Sequence, residues 1–328
     1  MTEALSLNQV NKKLGNRKIL EDVSFTVEQG NIFGYLGPNG AGKTTTIRII
    51  MGLFRTDSGT VQVLGENTSL DNIRRKIGFV LEHDGLYDNL TAVENLEFYF
   101  QLYRVPEANR KKIAEMLHLV GLQERAGDKI ATYSKGMRQK LALARAMVHD
   151  PEFLILDEPT AGIDPSGQME VRDIILNLAN NQGKTVFLSS HNLDEVQRIC
   201  NRIALIDKGQ IKIYGELDQL RKGAGQQELI IETGVKETDA LQKAMDELKN
   251  LAYIAGYHLE TGRIYITLKG KEEVSEIVAV LAQKGVPIEG VKKSEATLEE
   301  IYSKAVRDVE NERNIGDFKK GFKRNFTY

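Results

Sequence analysis

Gly37-Pro38-Asn39-Gly40-Ala41-Gly42-Lys43-Thr44-Thr45 is the stretch on which the reading of this chain turns. It has the phosphate-loop spacing: a glycine, four free positions, then Gly-Lys-Ser/Thr. The strand-like run Ile32-Phe33-Gly34-Tyr35-Leu36 leads in, and a helix-like run from Thr45 to Met51 leads out and stops at Gly52. Glycines permit backbone angles that a Cβ forbids and bring bare N–H groups against phosphate oxygens. The helix that follows points its positive end at the same anion. In that setting Lys43 is placed to neutralise β- and γ-phosphates, and the Thr44 hydroxyl to ligate Mg²⁺. The stretch therefore predicts a nucleotide-binding α/β core.

A strand that ends in carboxylates is the usual companion of such a loop. Here it is Phe153-Leu154-Ile155-Leu156-Asp157-Glu158, followed by the turn residues Pro159 to Asp164. Two acids at the end of a buried strand are costly unless a cation or a water needs them. Asp157 is placed to orient Mg²⁺ through its water shell, and Glu158 to act as general base on the attacking water. His191 follows Leu188-Ser189-Ser190 at the end of the next strand, on the ligand side of an open α/β sheet. There it is placed to donate a hydrogen bond to the γ-phosphate. Upstream, Ser134-Lys135-Gly136-Met137 opens a helix and offers a second anion site. One nucleotide already has a phosphate loop on one side, so a second such site predicts ATP held between two copies.

The 328 residues are 41% hydrophobic and 27% charged, an ordinary globular composition long enough for about two domains. A net charge of −2 gives no global pull toward nucleic acid or anionic lipid. The single cysteine, Cys200, rules out an internal disulfide and suits a reducing compartment. No basic-then-apolar leader opens the sequence, and no apolar run approaches the roughly 20 residues of a membrane span. If the protein works on a membrane, another chain is expected to do the spanning.

Residues 1–221 alternate strand and helix signals. Phe153 to Leu156, Thr185 to Leu188 and Ile203 to Ile206 are continuous apolar runs, as expected of buried parallel strands. Leu5 to Val10, Ile19 to Val27 and Thr60 to Leu64 alternate and predict an antiparallel sheet beside them. Residues 89–148 read as a helical insert. Thr91-Ala92-Val93-Glu94 is a capping box, Pro106 starts a second helix, and a third runs from about Lys135 to Val148. Phe98, Tyr99, Phe100 and Tyr103 fall within two turns, so some are expected to face a partner. Gly223-Ala224-Gly225 reads as a linker. Residues 222–306 follow in a strand–helix–strand–strand–helix–strand order, with the last strand at Pro287 to Val291 and a helix from Leu298 to Ala305. That order predicts a ferredoxin-like α+β domain. Residues 307–328 form a basic and aromatic tail, with Phe318, Phe322 and Phe326 set among Lys319, Lys320, Lys323 and Arg324. It reads as a membrane-surface or partner stripe, or as a tail that is disordered or docked on its own protein.

Taken together, these motifs resemble the ATPase subunit of an ABC transporter, and the resemblance covers nearly all of residues 1–221. Gly37 to Thr45 matches Walker A, Ser134 to Met137 the signature, Leu154 to Glu158 Walker B, Ala161 to Asp164 the D-loop and His191 the switch histidine. The second unit, with the ending Glu295-Ala296-Thr297-Leu298-Glu299-Glu300-Ile301-Tyr302, resembles single-ATPase-domain exporters with a separate permease, such as antibiotic self-resistance and bacteriocin-immunity exporters. The resemblance implies a head-to-tail homodimer closing on two ATP molecules with Mg²⁺, with Ser134 and Gly136 at the γ-phosphate held by the other copy and Asp164 among the nucleotide-binding residues. It implies a multispanning membrane permease as partner, received between the Glu82 loop and the helical insert. It also places the chain on the inner face of the cell membrane. No nucleic-acid partner is expected.

Three positions depart from the family pattern. Leu14 stands where an aromatic usually stacks on adenine. Glu82 stands where a glutamine senses the metal and the permease, so it keeps an oxygen ligand and adds a charge. Lys135 replaces the first of two glycines in the signature and opposes the helix dipole. The competing readings are a soluble ABC-type ATPase with no transport role and a nucleotide sensor that does not hydrolyse.

Overall fold

The computed structural model describes residues 2–68, 71–105, 110–224, 228–233, 239–249, 254–260, 262–268, 274–294, 298, 299 and 301. The contacts divide the chain into two compact units, Met1–Leu217 and Asp218–Tyr328.

The first unit holds two sheets. In the antiparallel one, β1 (Glu3–Leu14) lies between β2 (Arg17–Glu28) and β4 (Ser58–Val63), with β5 (Glu66–Asn67) on the edge. The register sets Leu7 against Phe25 and Leu5 against Val63, so the apolar members of each alternation share one face. The second sheet contains β3 (Ile32–Leu36), β6 (Ile77–Val80), β7 (Phe153–Asp157), β8 (Thr185–Ser190), β9 (Arg202–Asp207) and β10 (Gln210–Glu216). Its order is β10-β9-β3-β8-β7-β6, parallel except for β10 on β9. Every residue of β3, β7 and β8 is buried, which is why these strands read as apolar runs that turn polar only at the ends of β7 and β8.

Phe25 of the antiparallel sheet stacks on Phe33 of the parallel one at 5.4 Å, and Phe33 on Phe187 at 5.8 Å. Tyr35 closes the cluster, with its hydroxyl 3.1 Å from Thr46 Oγ1 and its acidity suppressed by burial. This aromatic cluster joins the two sheets behind the phosphate loop and α1 (Lys43–Ile50).

The helical insert comprises α2 (Ala92–Leu102), α3 (Arg110–Leu119) and α4 (Lys135–Ala146). Thr91 and Glu94 form the capping box in both directions, at 3.2 and 2.7 Å. Residues 106–109, the expected start of α3, lie outside the described residues. The carbonyl of Ala146 crosses so close to Gly78 of β6 that any Cβ there would strike it, so glycine at 78 lets α4 pack down on the sheet. The unit also holds α5 (Pro165–Asn180) and α6 (Leu193–Ile199), with short 3-10 helices at Asp71–Lys76, Gln123–Arg125 and Ile130–Thr132.

The linker expectation needs correction. Gly223 and Ala224 end α7 (Leu217–Ala224), a helix that begins at the buried Leu217, and Gly225 lies outside the described residues. Glycine costs a helix about 1 kcal/mol, which a last turn tolerates, so Gly223 does not interrupt α7.

The second unit is built from β11 (Glu228–Glu232), α8 (Asp239–Leu248), β12 (Ile254–Glu260), β13 (Arg263–Leu268), α9 (Val274–Gln283) and β14 (Gly290–Ser294). Its sheet order, β12-β13-β11-β14, is antiparallel throughout and is the ferredoxin-like order. Leu229, Ile231, Ile264, Ile266, Met245, Leu248, Ile277 and Leu281 form its core. The last strand starts three residues later than its hydrophobicity predicts. Ile288 packs on the core as the chain approaches, and pairing with β11 begins at Gly290 and exposes Lys292 and Lys293 on the edge. Of the helix expected from Leu298 to Ala305 only residues 298, 299 and 301 are described, all helical, and the 307–328 tail lies outside the described residues.

Candidate nucleotide-binding site

Because β8 lies between β3 and β7, three loops converge at the carboxyl edge of the sheet: the phosphate loop after β3, the acids ending β7 and His191 after β8. This edge is where open α/β sheets receive ligands. Gly40 and Gly42 take φ of 79° and 117°, angles that a side chain would strain. Helix α1 starts at Lys43 with no side-chain cap, which leaves its first turn of N–H groups for an anion.

Lys43 is 7% exposed and folded back on its loop. Its Nζ donates to Gly37 O at 2.7 Å and lies 3.3 Å from Glu158 Oε1. The other carboxylate oxygen of Glu158, Oε2, is 2.8 Å from His191 Nδ1. Glu158 thus bridges the lysine and the histidine. It sits at φ 51°, and its N–H donates to Ser189 O and Ser189 Oγ. This left-handed turn swings the side chain of Glu158 away from the strand and toward the loop of β3.

Asp157, 6% exposed, accepts from Ser189 Oγ at 2.5 Å. Burial raises its carboxyl above the usual range. The Ser189 hydroxyl works against that shift, the neighbouring charges of Glu158 and Glu82 add to it, and Lys43 opposes it. A cation beside Asp157 would remove the strain. Thr44, Asp157 and Glu82 line one cavity, all with oxygen donors, the set a hard cation takes. Among the described residues no three acidic, histidine or cysteine side chains form a metal cage.

The cavity measures about 530 Å³, within the range of small-molecule sites. Of the residues expected at the nucleotide, Pro38, Asn39, Gly40, Gly42, Lys43, Thr44, Thr45, Glu82, Asp157, Glu158 and His191 line it. Gly37 and Ala41 of the same loop are not among the lining residues. Leu14 is exposed at the end of β1 and is not among the lining residues, whereas Arg17, paired with it across the turn, and Ile19 are. The local sequence gives no sign of either: Arg17 lies opposite Leu14 only through the β1–β2 register, and Ile19 reads as an ordinary strand residue. Lys135 also lines the cavity and lies over Gly162 of the same chain.

Ser134, Gly136 and Asp164 stand outside the cavity of their own chain. Ser134 caps α4 by accepting from Met137 N, Gly136 is buried and faces Ile163, and Asp164 caps α5 by accepting from Gly167 N.

The segment after Glu82 is tied to the helical insert. Arg138 of α4 donates to Asp84 at 2.7 Å and to Asp88 at 2.5 Å, and the Tyr99 hydroxyl donates to Gly85 O. Of the four aromatics around α2, Tyr99 and Phe100 are buried and Tyr103 stacks on His149. Phe98 is exposed, edge-on to the exposed Tyr87.

This fold and cavity define a P-loop nucleotide-binding protein with an antiparallel side sheet and a helical insert. Comparison with known proteins narrows the class. Residues 20–161 match the family model described as ABC transporter, and residues 215–306 that of the ATP-binding protein DrrA1-3-like C-terminal domain. The linearmycin resistance ATP-binding protein LnrL of Bacillus subtilis (strain 168) is 36% identical over 304 residues, covering 91% of this chain and 96% of that protein. The bacitracin transport ATP-binding protein BcrA of Bacillus licheniformis is 40% identical over 224 residues, 68% of this chain and 72% of that protein. Among solved structures, the dimeric post-hydrolysis ATP-binding cassette MJ0796, bound to ADP and Pi, is 29% identical with a TM-score of 0.59, covering 65% of this chain and 98% of that one. The chain belongs to the ABC transporter ATP-binding subunits and is an ATPase of that family. Among the described residues no helix is long and apolar enough to cross a membrane.

Proposed function

We propose that two copies of this chain close head-to-tail on two ATP molecules with Mg²⁺ and energise export through a separate multispanning permease. In this reading residues 1–221 are the motor, residues 222–306 an accessory domain, and the permease holds the chain against the inner face of the membrane. The observation that carries the proposal is Glu158, held between Lys43 and His191 at the mouth of the phosphate loop. Lys43 exchanges Glu158 for the β- and γ-phosphates, which frees the carboxylate to accept a proton from water. His191 positions that water and donates to the γ-phosphate. Bound Mg²⁺, held by Thr44 and Asp157 with Glu82 near, would neutralise charge on the phosphates. The rest is positioning and electrostatic stabilisation.

Ser134, Gly136 and Asp164, turned away from their own cavity, are the groups a second copy would present. The relatives named for linearmycin resistance and bacitracin transport support export as the direction. Steady, Mg²⁺-dependent phosphate release by the purified chain, together with recovery of a multispanning protein with it from detergent extracts, tests the proposal. Turnover with no membrane protein attached would favour an ATPase without a transport role, and no turnover would favour a sensor.

A further inference from the structure

Glu195, in the first turn of α6, takes no part in the roles above. Its Oε1 accepts from the Thr160 hydroxyl, and its Oε2 lies 3.4 Å from Ser190 Oγ. Its N–H donates to Asn192 Oδ1 at 3.2 Å. Both chain neighbours of His191, Ser190 and Asn192, are therefore bonded to Glu195. Asn192 N also donates to Ser190 Oγ at 3.0 Å, which closes a small ring around the histidine.

The far end of the tether is equally well placed. Thr160 is 5% exposed and Ser190 1%, so water does not readily replace a lost partner for either hydroxyl. Ala161 N donates to Glu158 O at 3.1 Å, and Ile163 N to Thr160 O at 3.3 Å. Thr160 thus heads the turn from Ala161 to Asp164 and sits two residues from Glu158. Burial lifts the carboxyl of Glu195 above the usual range, and the two hydroxyls hold it down. A carboxylate suits the position because it offers an acceptor oxygen to each of two donors arriving from different loops.

We propose that Glu195 is a positioning residue that locks the Ala161–Asp164 turn to the His191 loop, so that the two loops shift as one body. In the dimeric reading, on which this rests, that turn meets the second copy. Docking of the copy is then registered at His191 and at the carboxylate it contacts, Glu158. The link joins groups that assemble the attacking water, and it acts on kcat rather than on ATP affinity.

The test uses the purified full-length chain with Mg²⁺-ATP and compares the parent, Thr160→Val, Glu195→Ala, Glu195→Gln and the Thr160→Val/Glu195→Ala double variant. Binding of a fluorescent ATP analogue is followed alongside phosphate release. Thr160→Val and Glu195→Ala are each expected to lower kcat about tenfold, as small misplacements of catalytic groups do, with KM and analogue binding unchanged. The double variant is expected to be no slower than the slower single variant, because both lose one shared bond. Glu195→Gln keeps an acceptor for Thr160 and is expected to restore most of the rate. A parental kcat in Thr160→Val, losses that multiply in the double variant, or a Glu195→Gln rate as low as that of Glu195→Ala would overturn the proposal. If the parent itself neither binds nor hydrolyses ATP, the ATPase reading falls and the tether with it. If the parent turns over and Thr160→Val matches it, only the tether falls.

Discussion

Asp157→Asn is expected to make the nucleotide-free protein more stable while removing its activity. The carboxylate is 6% exposed at the end of β7 and shares its corner with Glu158 and Glu82. Burial, the largest influence, raises its proton affinity, and the two acids add to that. The sign follows from linkage. An acid whose folded pKa lies above its unfolded one is a destabilising charge at neutral pH, and the cost is relieved as pH falls through the folded pKa. Asparagine removes the charge and keeps the oxygen that Ser189 donates to. Lys43 keeps its contact with Glu158, 3.3 Å away, so little attraction is lost. Desolvation and repulsion are relieved and one hydrogen bond is conserved, for a net gain on the order of 1 kcal/mol. For a unit of this size that corresponds to about 2–4 °C in Tm. The assay is thermal unfolding of parent and variant without nucleotide or Mg²⁺, from pH 7.5 down to pH 5. The variant should melt higher at pH 7.5, and the gap should narrow on acidification as the parent carboxyl takes up its proton. A variant that melts at or below the parent at pH 7.5, or a gap that widens as pH falls, would refute the electrostatic reasoning.

Glu158→Gln should lower steady phosphate release by about 10²–10⁴-fold and accumulate an ATP-bound dimer in size-exclusion chromatography; turnover at the parent rate would remove Glu158 as the base. Glu82→Gln should retain most of the activity, because it keeps an oxygen toward the cavity; complete loss in a folded variant would give the carboxylate a specific role. Gly78→Ala drives a methyl into the Ala146 carbonyl and should cost about 1–3 kcal/mol, read as a lowered Tm, whereas an unchanged melting curve would show that α4 rides freely on β6.

The order of the elements and the chemistry of the loops were legible in the sequence, because both are written locally. Phosphate-loop spacing demands glycines at particular backbone angles, and Gly40 and Gly42 adopt them. Strands buried on both faces are apolar along most of their length, so β3, β7 and β8 announced themselves, with polar residues only at the ends of β7 and β8. The capping box at Thr91 is a four-residue signal and formed as written. Local signals misled where packing outweighed them. Gly223 ends a helix instead of opening a linker, and β14 begins only where its backbone can pair with β11. Which side chains meet was decided by tertiary structure alone. Placing β8 between β3 and β7 brings Lys43, Glu158 and His191 within bonding distance across more than a hundred residues of chain. The same placement lets Glu195 reach Thr160, a contact with no spacing rule to betray it. Composition and periodicity specify what a segment becomes, because backbone angles and burial are local demands. The partners of a buried charge depend on strand order, which only the folded sheet supplies.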